Sequence, residues 1–169
     1  LQQTYGGQGV GYVPLTSPVA RFRQSIQQRF EGAWQETSAN KSKSRSLFTL
    51  AETFATATAA ASTSYKLKSA ANRVTLQYVS DSIPVAITYG INGGERQRAE
   101  LPASHGALAE YTLPQSGVKR VELATEGGDG TRFYGVCFDG ITGIAVDNFS
   151  LRGSSGIKLN AVSSALTMQ

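Results

Sequence analysis

The chain has 169 residues, a formal net charge of +4, 17% charged residues and a hydrophobic fraction of 40% that alanine inflates. That length can bury a core of one domain, and the composition excludes disorder, which needs low hydrophobicity together with high net charge. One cysteine, Cys137, excludes an internal disulfide; with the single histidine, His105, it cannot build a tetrahedral Cys/His site, so no metal and no cofactor are expected.

No apolar run approaches the roughly 20 residues needed to span a bilayer, so no membrane span is expected. No signal peptide is visible. The basic residues are scattered; the densest group, Lys41, Lys43 and Arg45, lies in a Ser-rich stretch that reads as a solvated loop. A nucleic-acid binder would gather its cations on one face with interleaved aromatics, so no nucleic-acid partner is expected.

Leu1 to Tyr5 reads as the tail of a helix stopped by Gly6-Gly7. The loop Gly6-Gly7-Gln8-Gly9-Val10-Gly11 leads into apolar Tyr12-Val13-Pro14-Leu15. It lacks the strand before and helix after that a phosphate cradle requires, so tight turning is the use read for its glycines. From residue 21 the period is two: Phe22, Gln24, Ile26, Gln28 and Phe30 fall on one side of a strand, with a turn at Glu31-Gly32 before Trp34. Ala39 to Ser46 reads as a loop. The Thr/Ala alternation of Phe54 to Ser64 favours a strand with one face in water.

The clearest strands lie further along the chain. Arg73 to Val79 alternates with Val74, Leu76 and Tyr78 on one face, Val85 to Tyr89 does the same, and Asn92-Gly93-Gly94 is a turn of the hairpin kind. Further strands are read at Leu108 to Leu113, Lys119 to Ala124, Thr131 to Asp139 and Gly143 to Asn148, with Gly-rich turns between the last of them. Val136-Cys137-Phe138 places the cysteine as a small buried hydrophobe. Gly156 to Gln169 reads as helix, with Ser154-Ser155 as its cap. Short, evenly spaced strands with glycine turns predict a mostly-β fold, a sandwich or jelly roll.

A hydrolytic triad needs a nucleophile, a histidine base and a group that orients it. His105 sits in the polar loop Pro102 to Gly106, no Gly-x-Ser-x-Gly elbow occurs, and the carboxylates show no spacing that selects a catalytic pair. The chain alone is therefore not expected to be an enzyme. Sugar-binding sandwiches cover pyranose rings with aromatic faces, and Trp34, Tyr65, Tyr89 and Tyr134 are the candidates for ligand binding, with core packing as the alternative for each.

The segment Gly143-Ile144-Ala145-Val146-Asp147-Asn148-Phe149-Ser150-Leu151-Arg152-Gly153-Ser154-Ser155-Gly156 resembles the second conserved block of SGNH (GDSL-type) hydrolases, where a strand runs into Asn-x-x-x-x-Gly. The opening, Leu1 to Tyr12, is similar to the stretch after the nucleophile block in one SGNH subgroup. That subgroup resembles peptidoglycan or polysaccharide O-acetylesterases and carries an inserted β-sandwich like a carbohydrate-binding module, of galactose-binding-like architecture.

The resemblance implies that Gly153 is an oxyanion-hole donor, with the nucleophile and the Asp and His outside this chain. It implies a fragment after the nucleophile block over residues 1–20, a sandwich insert over 21–142, and SGNH strand, glycine and helix over 143–169. Leu1, in place of Met and in apparent mid-helix, is read as the start of an excised segment. The implied partners are a polysaccharide or peptidoglycan glycan and the remainder of the parent hydrolase, and the implied location is periplasmic or extracellular. The competing expectation is a structural or protein-interaction sandwich that orients or dimerises the catalytic domain.

Overall fold

A computed structural model describes residues 10–16, 25–42 and 45–140. Strands follow one another as β1 (Gly11–Pro14), β2 (Ile26–Ser38), β3 (Thr53–Ala71), β4 (Arg73–Val79), β5 (Val85–Ile91), β6 (Gln97–Leu101), β7 (Ala109–Thr112), β8 (Val118–Thr125) and β9 (Arg132–Asp139), with a 3-10 turn at Arg45–Leu47. Every pairing among them is antiparallel. The ladder runs β6-β5-β8-β3-β9-β4-β7, with β2 on β3 and β1 on β9.

Among the described residues a single pair, Ala55↔Phe133, joins β3 to β9. The ladder thus divides into a first sheet, β6-β5-β8-β3-β2, and a second, β7-β4-β9-β1. Their apolar rows face one another: Tyr65 of the first sheet meets Phe138 of the second edge to face at 5.2 Å. Ile87, Val121 and Leu67 lie opposite Leu76, Val136 and Val13 in the same buried cluster. Alternate residues point to opposite sides of a strand, so a period-two sequence buries one row and wets the other. The mostly-β sandwich expected from the strand spacing is the fold observed.

Most strand assignments hold with small changes at the ends, but β3 runs on to Ala71, past the expected Ser64, and β1 forms where only an apolar stretch was read. A further difference is Glu31-Gly32, expected as a turn. Here β2 runs straight through, and its register on β3 shifts between Gly32 and Trp34. Gly32 has φ +92°, and a Cβ there would lie 2.5 Å from the Ala60 carbonyl oxygen. It therefore makes a bulge, which bends the β2–β3 ribbon from one sheet toward the other. β6 was not expected, because only Ala99 and Leu101 of its residues are buried and the rest are polar. Cys137 is a partly exposed thiol opposite Tyr12, not the buried hydrophobe expected.

At one end of the sandwich a smaller core forms under the chain from Ala39 to Glu52, where Phe48, Phe54 and Tyr134 pack together. Glu52 lies inside it at 1% exposure with φ 53°, and neither carboxylate oxygen has a hydrogen-bond partner among the described residues. The expected strand at 143–148 and both terminal helices lie outside the described residues, as does Gly153.

Candidate functional site

The four aromatic side chains expected to meet a ligand separate into two groups. Tyr65, Tyr89 and Tyr134 are 1%, 6% and 0% exposed. Tyr65 packs on Phe138, Tyr134 on Phe54, and the Tyr134 hydroxyl donates to the Leu47 carbonyl at 2.6 Å. The Tyr89 hydroxyl donates to Gln97 Oε1 at 2.7 Å. This corrects the expectation for these three: their faces are covered by protein, so no sugar can stack on them. Each lies on the inward row of its strand or under a loop. The tyrosine oxygen finds a partner where it emerges, the usual condition for burying a phenol. Burial also pushes the Tyr134 and Tyr89 phenols above their ordinary pKa.

Trp34 is different. It stands just past the bulge, half-buried, with its ring edge-on to Phe133 at 5.9 Å. Its indole N–H donates to the Ser62 carbonyl at 2.9 Å. The ring is thus locked in orientation while part of it reaches the surface. Phe30, on the same row of β2 beyond Gly32, is 41% exposed. It falls on the same side of the strand as Ile26, as its spacing predicts, and β2 pairs only with β3 among the described residues. An inward row at a sheet edge can remain uncovered, and the strand order that leaves β2 a single partner among the described residues is not visible in local sequence.

The apolar crevice beside Trp34 is lined by Leu15, Leu76, Ile87, Leu123 and Phe133. These residues belong to the core between the sheets, and the crevice is an interior packing gap rather than a cleft for a sugar.

The two outer faces are polar in different ways. On the second sheet, residues directly opposite each other are mutually satisfied: Arg73 pairs with Asp139 at 2.9 Å, Gln77 donates to Glu110 at 2.9 Å, and the Thr75 and Thr112 hydroxyls meet at 3.2 Å. The hydrogen bond to Asp139 is the main cause of the raised Arg73 pKa. On the first sheet, small residues alternate with long charged ones, and the cations outnumber the carboxylates Glu31, Glu100 and Glu122 that share the face. Thr88 and Gly90 of β5, Ala124 of β8, and Ser62 and Ser64 of β3 share this side with Arg98, Arg120, Lys66 and Arg29.

His105 is exposed, as expected, in a turn with φ 51°. It is held by the reciprocal bonds of Ser80 and Ser104, in which each backbone N–H donates to the other's hydroxyl. No group of three or more His, Cys, Asp or Glu residues within metal-binding reach occurs among the described residues. No helix among them is long and apolar enough to cross a membrane.

The fold and surfaces define a two-sheet antiparallel β-sandwich whose accessible polar surface lies on its faces and loop ends. No protein-family model matches the sequence, and no curated protein matches it. Among solved structures, a peptidoglycan O-acetylesterase is similar at a TM-score of 0.70 and 17% identity over 97% of this chain. This chain spans 44% of that one, less than half its length. A carbohydrate-binding module, TmCBM61, in complex with β-1,4-galactotriose is similar at a TM-score of 0.39 and 16% identity, over 66% of this chain and 84% of that one. The family 35 carbohydrate-binding module from Clostridium thermocellum is similar at 0.45 and 8% identity, over 69% and 99%. At 17% identity the likeness to the O-acetylesterase is one of fold.

Proposed function

We propose that this chain is a non-catalytic, carbohydrate-binding-like module of a periplasmic or extracellular SGNH-type serine esterase that removes O-acetyl groups from peptidoglycan or polysaccharide. The observation that carries the proposal is the shared fold with a peptidoglycan O-acetylesterase over 97% of this chain, against 44% of the other. The SGNH-like flanks noted in the sequence support the same reading. In it, residues 21–142 form the inserted sandwich, and Gly153 joins the oxyanion hole contributed by the rest of the parent. An oxyanion donor acts only when fixed about 3 Å from the developing charge, so Gly153 needs the nucleophile and base supplied elsewhere. The module would hold a polymer near that centre and raise its effective concentration.

On the module, Trp34 is the aromatic face proposed for the sugar, with Phe30 beside it. Isothermal titration against peptidoglycan fragments and polysaccharides tests this reading. Binding that Trp34→Ala weakens at least tenfold in a still-folded chain is expected. If no glycan binds while the parent protein remains active on them, the sandwich serves to orient or dimerise the catalytic domain. The exposed Phe30 on β2, which pairs only with β3 among the described residues, favours that second reading.

A further inference from the structure

The outer face of the first sheet sets two cations directly against each other. Lys66 of β3 and Arg120 of β8 are register partners, and both are exposed. Like charges directly opposite on a sheet destabilise it, as opposite charges there support it. Lys68 comes two residues after Lys66 on the same side of β3, where burial alternates strictly with buried Leu67. Three carboxylates share the face: Glu31 follows Arg29 on β2 and Glu100 follows Arg98 on β6, while Glu122 is already shared, Arg120 reaching one oxygen at 2.7 Å and Arg96 the other at 3.3 Å. Lys66, Arg29 and Arg98 form no salt bridge with any of the described residues.

The shape of this face matches its charge. The stem of Arg96 passes over Gly90, whose added Cβ would lie 3.7 Å from Arg96 Cγ. Thr88, Ala124 and Ser62 form one low row across the strands, and in the next row Glu122 stands between Gly90 and Ser64. With strands about 4.8 Å apart, the cations from Arg96 over β5 to Arg29 on β2 span about 14 Å across the strands. The second sheet, built from the same chain, closes its cross-strand pairs internally. The opposed cations are therefore a local feature of one face.

We propose that this face binds an acidic polysaccharide, with the Lys66–Arg120 pair and Arg29 taking carboxylates that recur along the polymer. The proposal rests on the glycan-binding reading above and adds the ligand's charge and the place where it lies. A carboxylate between Lys66 and Arg120 replaces repulsion with two charge-assisted hydrogen bonds. The low row leaves room for the sugar backbone, and Ser62 and Ser64 offer hydroxyls to it.

The test measures binding of the chain to polygalacturonate, to the same polymer with its carboxylates methyl-esterified, to neutral galactan and to duplex DNA. Tighter binding to polygalacturonate than to its ester, by at least tenfold, is expected. Lys66→Glu and Arg120→Glu should each weaken that binding tenfold or more, while Arg73→Gln on the second sheet changes it less than twofold. The thermal midpoint of Lys66→Glu should be unchanged or raised, so that lost binding cannot be lost folding. Equal binding to polymer and ester, or variants without effect, overturns the proposal. Binding to galactan alone overturns it and leaves the glycan reading standing. DNA bound as tightly as polygalacturonate overturns it in favour of an unselective polyanion surface. No binding to any glycan removes both.

Discussion

The two sheets solve the same local problem in opposite ways. Each has one row in the core between the sheets, and the opposite row of each carries charged and hydroxyl side chains in register across strands. On the second sheet those side chains meet complementary partners: Arg73 with Asp139, Gln77 with Glu110, Thr75 with Thr112. On the first, Glu122 pairs with Arg96 and Arg120, yet Lys66 still meets Arg120 across the strands without a carboxylate of its own among the described residues. The difference teaches where to look for function on a fold without a cleft. A face whose pairs are closed contributes to its own sheet, whereas one that tolerates opposed cations leaves its charge available to a ligand.

The most damaging way to test this picture is to break the ribbon that joins the sheets. Gly32→Ala puts a methyl group against the Ala60 carbonyl and Ala61 Cα at a φ of +92°. Overpacking together with a left-handed non-glycine backbone should cost about 3 kcal/mol. Urea unfolding would measure it; a variant as stable as the parent would show that the bulge is not the corner of the sandwich.

A smaller effect is expected under the loop at one end. Tyr134→Phe leaves the Leu47 carbonyl without its donor and should cost about 1–2 kcal/mol. It also changes the alkaline limit. Burial raises the folded-state pKa of the Tyr134 phenol above its ordinary value of 10.0. As pH climbs past that value the unfolded chain loses the proton first, so stability present below it is lost above it. The parent should lose stability more steeply than Tyr134→Phe on going from pH 9 to pH 11, as followed by denaturant midpoints.

The smallest effects address the two faces directly, because they should differ in sign. Lys66→Glu turns a like-charge pair into an attractive one and should stabilise by roughly 0.2–1 kcal/mol. Arg73→Glu sets a carboxylate against Asp139 and should lower the denaturant midpoint. Both shifts should shrink in 1 M salt, where exposed charges are screened over about 3 Å. Shifts of the same sign would erase the contrast between the sheets.

Much of the fold was legible in local sequence. Arg73 to Val79 alternates so regularly that its bounds and its buried face agree with β4. Asn92-Gly93 supplies two residues that accept positive φ, and both adopt it, at 53° and 78°. β6 escaped because an edge strand with a polar outer row carries little apolar signal. Gly32 escaped because a glycine reads equally well as a turn or as a bulge, and only the partner strand decides between them.

The sequence by itself determined a mostly-β chain with period-two strands, glycine turns and a lone cysteine and histidine, because those signals depend on neighbours along the chain. It also identified aromatic residues that could meet a sugar, but not which of them stay accessible. That was decided by tertiary structure. Tyr65, Tyr89 and Tyr134 became core because strands distant in sequence covered them, while Trp34 kept an open edge at the bulge. The confrontation of Lys66 with Arg120 is likewise invisible in a linear reading, since their 54-residue separation vanishes only when β3 and β8 come into register.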